Sequence, residues 1–140
     1  MGIAPAVYSE LVAAARAVAT KAYCPYSRFT VGAAVLTDAG EIFAGCNVEN
    51  ASYGLTICAE RNAVFQAVAR ASGALSIRAV VVFTPTARPT APCGACRQVI
   101  NEFGADAQVF SVCDGPQVLE SSLGILLPQA FGPANLEKEV

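Results

Sequence analysis

The sequence contains no histidine, and this absence narrows the chemistry that the protein can perform. Catalysis by Ser-His-Asp or Cys-His groups is excluded, so any general acid or base and any metal ligand must come from cysteine, carboxylate, lysine or tyrosine side chains. Charged residues are scarce, at 14% of the chain, whereas hydrophobic residues make up 54%. No apolar run approaches the roughly 18 residues of a membrane span. We therefore expect no membrane association, and apolar surface buried between subunits with closed symmetry.

The chain also lacks an excess of basic residues. Its net charge is −2 and its isoelectric point is near 5.0, which argues against a polynucleotide as substrate or partner. A small substrate with little or no charge fits better. The first residues have neither the basic start nor the apolar core of a secretory signal, so we expect a cytoplasmic protein. A length of 140 residues without linker or repeat predicts one domain over 1–140.

Hydrophobic periodicity predicts an α/β protein. Apolar residues at helical spacing indicate helices at 7–22, 58–71 and 91–103. Apolar strand-like runs indicate strands at 29–36, 41–47, 79–83 and 109–113, and a last short element lies at 124–127. This order predicts a mixed sheet with helices on both faces. Gly32 and Gly45 fall inside the first two strands, where a missing side chain predicts close packing or the approach of a ligand.

Two short segments carry the chemistry, Cys58-Ala59-Glu60 and Pro92-Cys93-Gly94-Ala95-Cys96. Both fall at predicted helix starts, where partial positive charge and free N–H groups lower the pKa of a thiol. Cys93 and Cys96 are one helical turn apart, so both sulfurs reach one point, and Cys58 joins them from the other helix. Three protein ligands with an open fourth position are typical of a catalytic zinc site. Glu60 is placed to move protons beside it.

Three further cysteines, Cys24, Cys46 and Cys113, leave a closed structural site or a redox site as an alternative. Cys46 and Cys113 lie in apolar strand patterns and are predicted to be small buried hydrophobes. Cys24 lies in a loop and stays open as a fourth ligand. Glu60 favours the catalytic interpretation, because a carboxylate two residues from a ligand has no evident role in a structural site.

Arg61 is the candidate for balancing the charge of this site. A zinc ion with three thiolates has a net charge of −1, which the two helix dipoles offset only in part. Arg61 is placed to donate hydrogen bonds to the thiolates. A solvated position on the helix surface is the alternative for this side chain. We favour the contact with the thiolates, since the site requires a positive charge.

These motifs resemble the cytidine deaminase family, whose zinc signature is a histidine or cysteine, one residue and a glutamate, followed by Pro-Cys-x-x-Cys. The resemblance covers about 7–131, with similar segments at 26–34, 45–54, 92–98 and 126–131. It implies a three-layer fold with a mixed five-stranded sheet flanked by helices, one strand more than periodicity indicates. It also implies one Zn²⁺ per chain, a homotetramer, and hydrolytic deamination of cytidine and deoxycytidine to uridine and deoxyuridine in pyrimidine salvage.

The resemblance further implies roles for individual residues. Glu60 would take a proton from water, deliver it to the ring nitrogen and pass the remaining proton to the departing amine. Six residues would contact the substrate, four from within the chain and two from a neighbouring subunit: Phe29, Asn47, Glu49 and Ala59, and then Tyr53 and Phe131. The two polar side chains would bind the ribose hydroxyls, the phenyl ring of Phe29 would pack on the nucleoside, and the main chain at Ala59 would orient the base.

Two other functions stay open. The same chemistry would serve a related amino-pyrimidine such as blasticidin S, or a nucleotide. A nucleotide would call for basic residues near 47–53, where Arg28 is the candidate. A catalytically idle zinc scaffold that binds nucleosides or proteins is the second alternative, and an intact Glu60 beside an open zinc position argues against it.

Overall fold

The structure, a computed structural model, describes residues 2–137. Within this range the chain forms four helices and five strands. The helices are α1 (Pro5–Ala19), α2 (Ala59–Arg70), α3 (Gly94–Phe103) and α4 (Leu123–Leu126). The strands are β1 (Gly32–Thr37), β2 (Ile42–Cys46), β3 (Ile77–Phe83), β4 (Gln108–Val112) and β5 (Leu119–Ser122). Two short 3-10 turns lie at Tyr53–Leu55 and Pro133–Leu136.

The strands form one mixed sheet in the order β2-β1-β3-β4-β5. β3 runs parallel to β4 and antiparallel to β1, and the outer pairs β1–β2 and β4–β5 are antiparallel. The register places Val81 of β3 opposite Ala34 on one side and Phe110 on the other. Along β3 only Arg78 is exposed, as expected for a central strand covered on both faces.

The sheet is the middle of three layers. On one face, a core cluster joins Leu11 of α1 to Val81 and Phe110. On the other face, a second cluster joins Val64 of α2 and Ile100 of α3 to Val80 and Val82 of β3. Because successive side chains of a strand point to opposite faces, β3 supplies both cores. Each buried aliphatic side chain contributes about 1.5–3 kcal/mol. The predicted three-layer mixed sheet is confirmed.

Gly32 and Gly45 let the helices lie directly on the first two strands. A Cβ at Gly32 would overlap the carbonyl of Ala15 in α1, and a Cβ at Gly45 would overlap the backbone nitrogen of Ala63 in α2. The close packing predicted at these glycines is confirmed, with a helix at each position. This packing sets α2, and with it Cys58 at its start, against β2.

β5 is the strand that hydrophobic periodicity does not indicate. Its sequence, Leu-Glu-Ser-Ser, is partly exposed and pairs only with β4 at the edge of the sheet. An edge strand with little burial has no alternating apolar pattern to recognise. Its existence therefore agrees with the resemblance and not with the pattern.

Two predicted boundaries also differ from the structure. The first helix is Pro5–Ala19 and not 7–22, because Pro5 occupies the first helical position, where its missing N–H costs nothing. The strand predicted from Phe29 begins at Gly32, since the side chain of Asn47 engages the backbone before that point. In the range 2–137, no helix has the length and apolar character needed to cross a membrane.

Candidate active site

Cys58, Cys93 and Cys96 bring their sulfur atoms together between the first turns of α2 and α3. All three Sγ atoms lie within 4.8 Å of one another. The Cys58–Cys93 distance is 3.8 Å and the Cys93–Cys96 distance is 3.4 Å. With Zn–S bonds of about 2.3 Å, thiolates at the corners of a tetrahedron stand about 3.8 Å apart. The three residues therefore fit a zinc ion, and the predicted metal cluster is confirmed.

Both halves of the cluster sit at helix N-termini. Cys58 is the N-cap residue of α2 and Cys93 that of α3, each with extended backbone angles. Cys96 lies in the first turn of α3 and is fully buried. At such positions the free N–H groups and the helix dipole favour negative charge, which a thiolate ligand carries. The helix starts predicted at these two segments are confirmed.

Charges around the sulfurs favour a thiolate at Cys58. A hydrogen bond from Cys96, assisted by Arg61, lowers the pKa of the Cys58 thiol. The same hydrogen bond to Cys58, together with burial and the nearby Glu60, raises the pKa of Cys96. Arg61 Nη2 lies 3.4 Å from Cys58 Sγ, and its Nε is buried with no hydrogen-bond partner among the described residues. The guanidinium is therefore committed to the sulfur cluster.

Glu60 is the second residue of α2 and is only 5% exposed. Burial raises the pKa of its carboxyl, and the nearby charge of Cys58 adds to this effect, while Cys96 and Arg61 act in the opposite direction. A carboxyl with a raised pKa accepts and returns a proton more readily near neutral pH. The position predicted for a proton carrier beside the metal ligands thus has the burial that such a role requires.

The remaining cysteines lie apart from this cluster. Within residues 2–137, no fourth cysteine or carboxylate joins the three sulfurs. Cys113 is buried and donates to the carbonyls of Ala87 and Gln117, at 3.6 and 3.5 Å, as expected of a structural residue. Cys46 is half-buried, less than predicted, and Cys24 is equally partly exposed. The closed four-cysteine alternative is not formed by the described residues.

A groove of about 300 Å³ lies on the loops that precede α2, lined by Tyr26, Ser27, Glu49, Tyr53 and Thr56. Glu49 Oε1 accepts hydrogen bonds from the backbone N–H groups of Tyr26 at 2.9 Å and Ser27 at 3.2 Å. The Ser27 side chain, followed by these N–H groups, lowers the pKa of the Glu49 carboxyl. The rings of Tyr26 and Tyr53 meet edge to face at 5.7 Å. The groove therefore presents a fixed, ionised carboxylate beside two aromatic rings.

Asn47 uses both ends of its side chain on the backbone. Oδ1 accepts the N–H of Val31 at 2.9 Å, and Nδ2 donates to the carbonyl of Phe29 at 2.7 Å. These bonds fix the loop that presents Phe29, whose side chain is 40% exposed. Asn47 itself is 8% exposed, and its amide retains one N–H and one lone pair for another partner.

A short backbone pairing joins the groove to the sulfur cluster. The N–H of Val48 donates to the Ile57 carbonyl at 3.0 Å, and the N–H of Ile57 donates to the Val48 carbonyl at 2.9 Å. Asn47 and Glu49 flank Val48 in the chain, and Cys58 follows Ile57 directly. The pairing therefore brings the two residues predicted to bind ribose close to a metal ligand.

Ala59, Tyr53 and Phe131 differ in burial. Ala59 is the first residue of α2 and is fully buried. In the chain it lies between Cys58 and Glu60. The side chains of Tyr53 and Phe131 are 74% and 58% exposed. The Phe131 carbonyl is held against α3 by two side chains that have no role in the sequence interpretation, Gln98 at 2.8 Å and Asn101 at 3.2 Å.

Sequence reasoning also missed Tyr26, Ser27 and Thr56 as groove residues. A turn directs the backbone N–H groups of Tyr26 and Ser27 at Glu49, the Ser27 side chain acts on the same carboxyl, and the Tyr26 ring lines the groove. In that turn Arg28 has a φ of 58° and donates its N–H to the Cys24 carbonyl at 2.9 Å. Pro25 and Ser27 signal a turn in the sequence, but no periodic pattern identifies a partner 22 residues further along the chain.

Comparison with known proteins agrees with this geometry. The family model for the cytidine and deoxycytidylate deaminase zinc-binding region matches residues 6–112. A cytidine deaminase of Sporosarcina psychrophila is 43% identical over 128 residues, which cover 91% of this chain and 93% of that protein. One of Halalkalibacterium halodurans is 49% identical over 111 residues, covering 79% and 83%. The crystal structure of cytidine deaminase from Burkholderia pseudomallei has a TM-score of 0.83 at 49% identity, covering 89% and 98%. This chain belongs to the cytidine deaminase family.

Proposed function

We propose that the protein catalyses the zinc-dependent hydrolytic deamination of cytidine and deoxycytidine to uridine and deoxyuridine, with release of ammonia. The observation that carries the proposal is a buried Glu60 next to three cysteine sulfurs at zinc-ligand spacing. Membership of the family supports the reaction class. Relatives that match most of the chain carry the name cytidine deaminase, which supports the substrate.

Cys58, Cys93 and Cys96 would hold the zinc ion, which when bound would activate a water molecule for attack on C4 of the pyrimidine. Glu60 moves the protons. Its carboxylate takes a proton from the water and donates it to the ring nitrogen next to C4, which makes that carbon more electrophilic. It then takes the second proton from the hydroxyl now bonded to C4 and passes it to the amino group, which leaves as ammonia when the C4–N bond breaks. The raised pKa of Glu60 suits a carboxyl that gains and loses a proton in every turnover.

Arg61 acts on the metal ligands and not on the substrate. Its Nη2 lies 3.4 Å from Cys58 Sγ. Three thiolates would give a zinc site a net charge of −1. A guanidinium at this distance would offset that charge and limit the electron density that the sulfurs donate to the ion. Hydrogen bonds to Cys58 and Cys96 also raise the pKa of Arg61, as expected of a guanidinium held against these sulfurs.

The nucleoside occupies the region between the sulfur cluster and the groove at Glu49. Glu49 presents an ionised carboxylate whose second oxygen accepts hydroxyl hydrogens of the ribose, and the remaining amide capacity of Asn47 serves the same sugar. The exposed ring of Phe29 packs on the nucleoside. The main chain at Ala59, between a metal ligand and the proton carrier, orients the base.

The active form is a homotetramer in which Tyr53 and Phe131 enter the site of a neighbouring chain. Both rings are largely exposed in the single chain. Several other apolar side chains also face outward, including Leu55, Phe65, Val68 and Ile125. Burial of this apolar surface favours association. The enzyme acts in the cytoplasm, in the salvage of pyrimidine nucleosides.

A related amino-pyrimidine, such as blasticidin S or a cytidine nucleotide, is the alternative substrate. The described residues that line the groove include no lysine or arginine. A phosphate group therefore finds no cation there, which favours the nucleoside. A zinc scaffold without activity is the other alternative, and it leaves the buried carboxyl of Glu60 unexplained.

Product profiling of the purified, zinc-loaded protein tests the substrate. Cytidine, deoxycytidine, cytidine monophosphate, blasticidin S and a cytosine-containing oligonucleotide are compared at equal concentration, with ammonia and the deaminated product both measured. We expect kcat/KM for the two nucleosides to exceed that for the others. A preference for the nucleotide or for blasticidin S would replace the proposed substrate, and no turnover of any of them would favour the scaffold.

A further inference from the structure

Arg97 directly follows the ligand Cys96 and joins two backbone carbonyls that are distant in the sequence. Its Nε donates to the Pro92 carbonyl at 2.8 Å, and its Nη1 donates to the Leu126 carbonyl at 2.9 Å. The first acceptor immediately precedes the ligand Cys93, and the second is the last residue of α4. One side chain thus ties the metal-ligand turn to the end of a separate helix.

The ligand turn has little other support on its outer side. Cys93, Gly94 and Ala95 are exposed, whereas Pro92 and Cys96 on either side of them are buried. The Pro92 carbonyl lies before the N-cap of α3, outside the hydrogen-bonded turns of that helix. Among residues 2–137, Arg97 is the side chain that donates a hydrogen bond to it. The hydrogen bond from Arg97 therefore restrains the backbone directly before Cys93, the N-cap residue of α3.

Both acceptors of Arg97 are neutral carbonyls. The ion pair found within residues 2–137 joins Arg16 to Asp114, so charge pairing does not explain the orientation of Arg97. A planar guanidinium offers several N–H groups in fixed directions and can hold two acceptors at once. A lysine, with a single ammonium on a flexible stem, can hold one of them without fixing the other.

We propose that Arg97 is a positioning residue that fixes the Cys93 turn by anchoring it to the end of α4. This inference rests on the proposed function only in that the three cysteines bind zinc. Arg97 touches neither substrate nor metal in this assignment. It acts through the backbone of Pro92, and it makes the lifetime of zinc in the site depend on the contact with the Leu126 carbonyl at the end of α4.

Zinc release to a colorimetric chelator tests the proposal without any turnover. The zinc-loaded wild-type protein, in the oligomeric form in which it is purified, is compared with Arg97→Ala, Arg97→Lys and two control variants. Loss of groups that orient metal ligands typically costs about 10–100-fold in metal affinity. We therefore expect Arg97→Ala to release zinc about 10–100-fold faster than the wild type, and Arg97→Lys to release it at an intermediate rate.

Two control variants separate this role from general destabilisation. Arg70→Ala removes an exposed arginine at the end of α2. Gln98→Leu removes the neighbouring donor on α3, which also holds the C-terminal segment but contacts the Phe131 carbonyl and not Pro92. Both are expected to release zinc at the wild-type rate. Gln98→Leu matching Arg97→Ala, or Arg97→Ala matching Arg70→Ala, would overturn the proposal.

The absorption spectrum of cobalt-substituted protein is a second measurement. It would stay unchanged if Arg97 contributed only to the overall stability of the fold. The ligand-field bands of Co²⁺ report the arrangement of the three sulfurs. They are expected to shift in Arg97→Ala and to stay in place in Gln98→Leu. If Arg97→Ala fails to fold, Arg97→Lys supplies the same comparison, and unchanged bands and zinc release in that variant would count against the proposal. A wild type that deaminates cytidine while Arg97 variants hold zinc normally would defeat this inference alone.

Discussion

The sulfur cluster and the groove at Glu49 are built in different ways. The cluster comes from two helix starts, and each of its ligands is placed by its own helix. The groove comes from loops at 23–29 and 47–56, and its side chains are placed by backbone groups far away in the sequence. The Asn47 side chain holds Phe29 at the end of the first loop and Val31 just after it.

This difference separates the consequences of mutation. A ligand in a helix start can be removed with a local effect on the metal, while the helix and its core contacts persist. A polar residue of the groove holds a loop, so its removal alters both stability and substrate binding. We therefore expect mutations of the cysteine ligands to change zinc content and mutations of the groove residues to change KM.

Cys96→Ser is expected to have the largest effect on the metal side. Cys96 is fully buried among the ligands, and a serine hydroxyl does not replace a thiolate on zinc. We expect zinc affinity to fall by more than the roughly 100-fold typical of indirect contacts, with turnover lost in step. Metal analysis after gel filtration measures it. Cys113→Ser, the same change at a buried cysteine apart from the cluster, should keep its zinc, and equal losses in both variants would contradict the assignment.

Asn47→Ala is expected to raise KM and to leave the zinc content unchanged. It removes two hydrogen bonds to the backbone of the Phe29 loop, and buried groups left without partners cost about 1–3 kcal/mol of stability. KM for cytidine should rise roughly tenfold, since a loosened loop and a lost sugar contact both weaken binding. Zinc per chain should stay constant. Arg70→Ala, an exposed position at the end of α2, is the control, and zinc loss in Asn47→Ala without a change in KM would contradict this division.

The Glu49 carboxyl should give the smallest effect, a shift in its own pKa. The folded-state pKa is lowered by Ser27 and by backbone N–H groups. The ionised carboxylate therefore contributes stability that is complete at neutral pH and is lost as the pH falls through the lowered pKa. Carbon NMR titration should find the pKa of Glu49 below the ordinary value of 4.5 for a glutamate and find it higher in Ser27→Ala than in the wild type. An unchanged value in that variant would remove Ser27 from the groove's electrostatics.

The metal half of the site could be predicted from the sequence because its signals are local. Cys58, Cys93 and Cys96 sit at helix starts that apolar periodicity and Pro92 already indicate. A one-turn spacing then dictates that two sulfurs converge. Strands β3 and β4 could also be predicted from the sequence, since buried parallel strands are continuous apolar runs.

The groove and β5 could not be predicted in the same way. Glu49 depends on N–H groups of Tyr26 and Ser27, which only a turn with a positive φ at Arg28 points toward it. β5 is a polar edge strand whose pairing with β4 is set by tertiary contacts and not by its own composition. Such features follow from the assembled fold. The family resemblance indicates Glu49 and a fifth strand, but not the contacts of Tyr26 and Ser27.

Glu60→Gln tests the central claim, that a buried carboxyl beside a three-cysteine zinc site carries the protons of deamination. The amide keeps the shape of the side chain and cannot take up a proton. We expect one zinc retained per chain, an unchanged fold, and kcat for cytidine reduced by about 10²–10⁴-fold or more, the usual contribution of general acid–base catalysis. A variant that keeps its zinc and deaminates cytidine within tenfold of the wild type would contradict it.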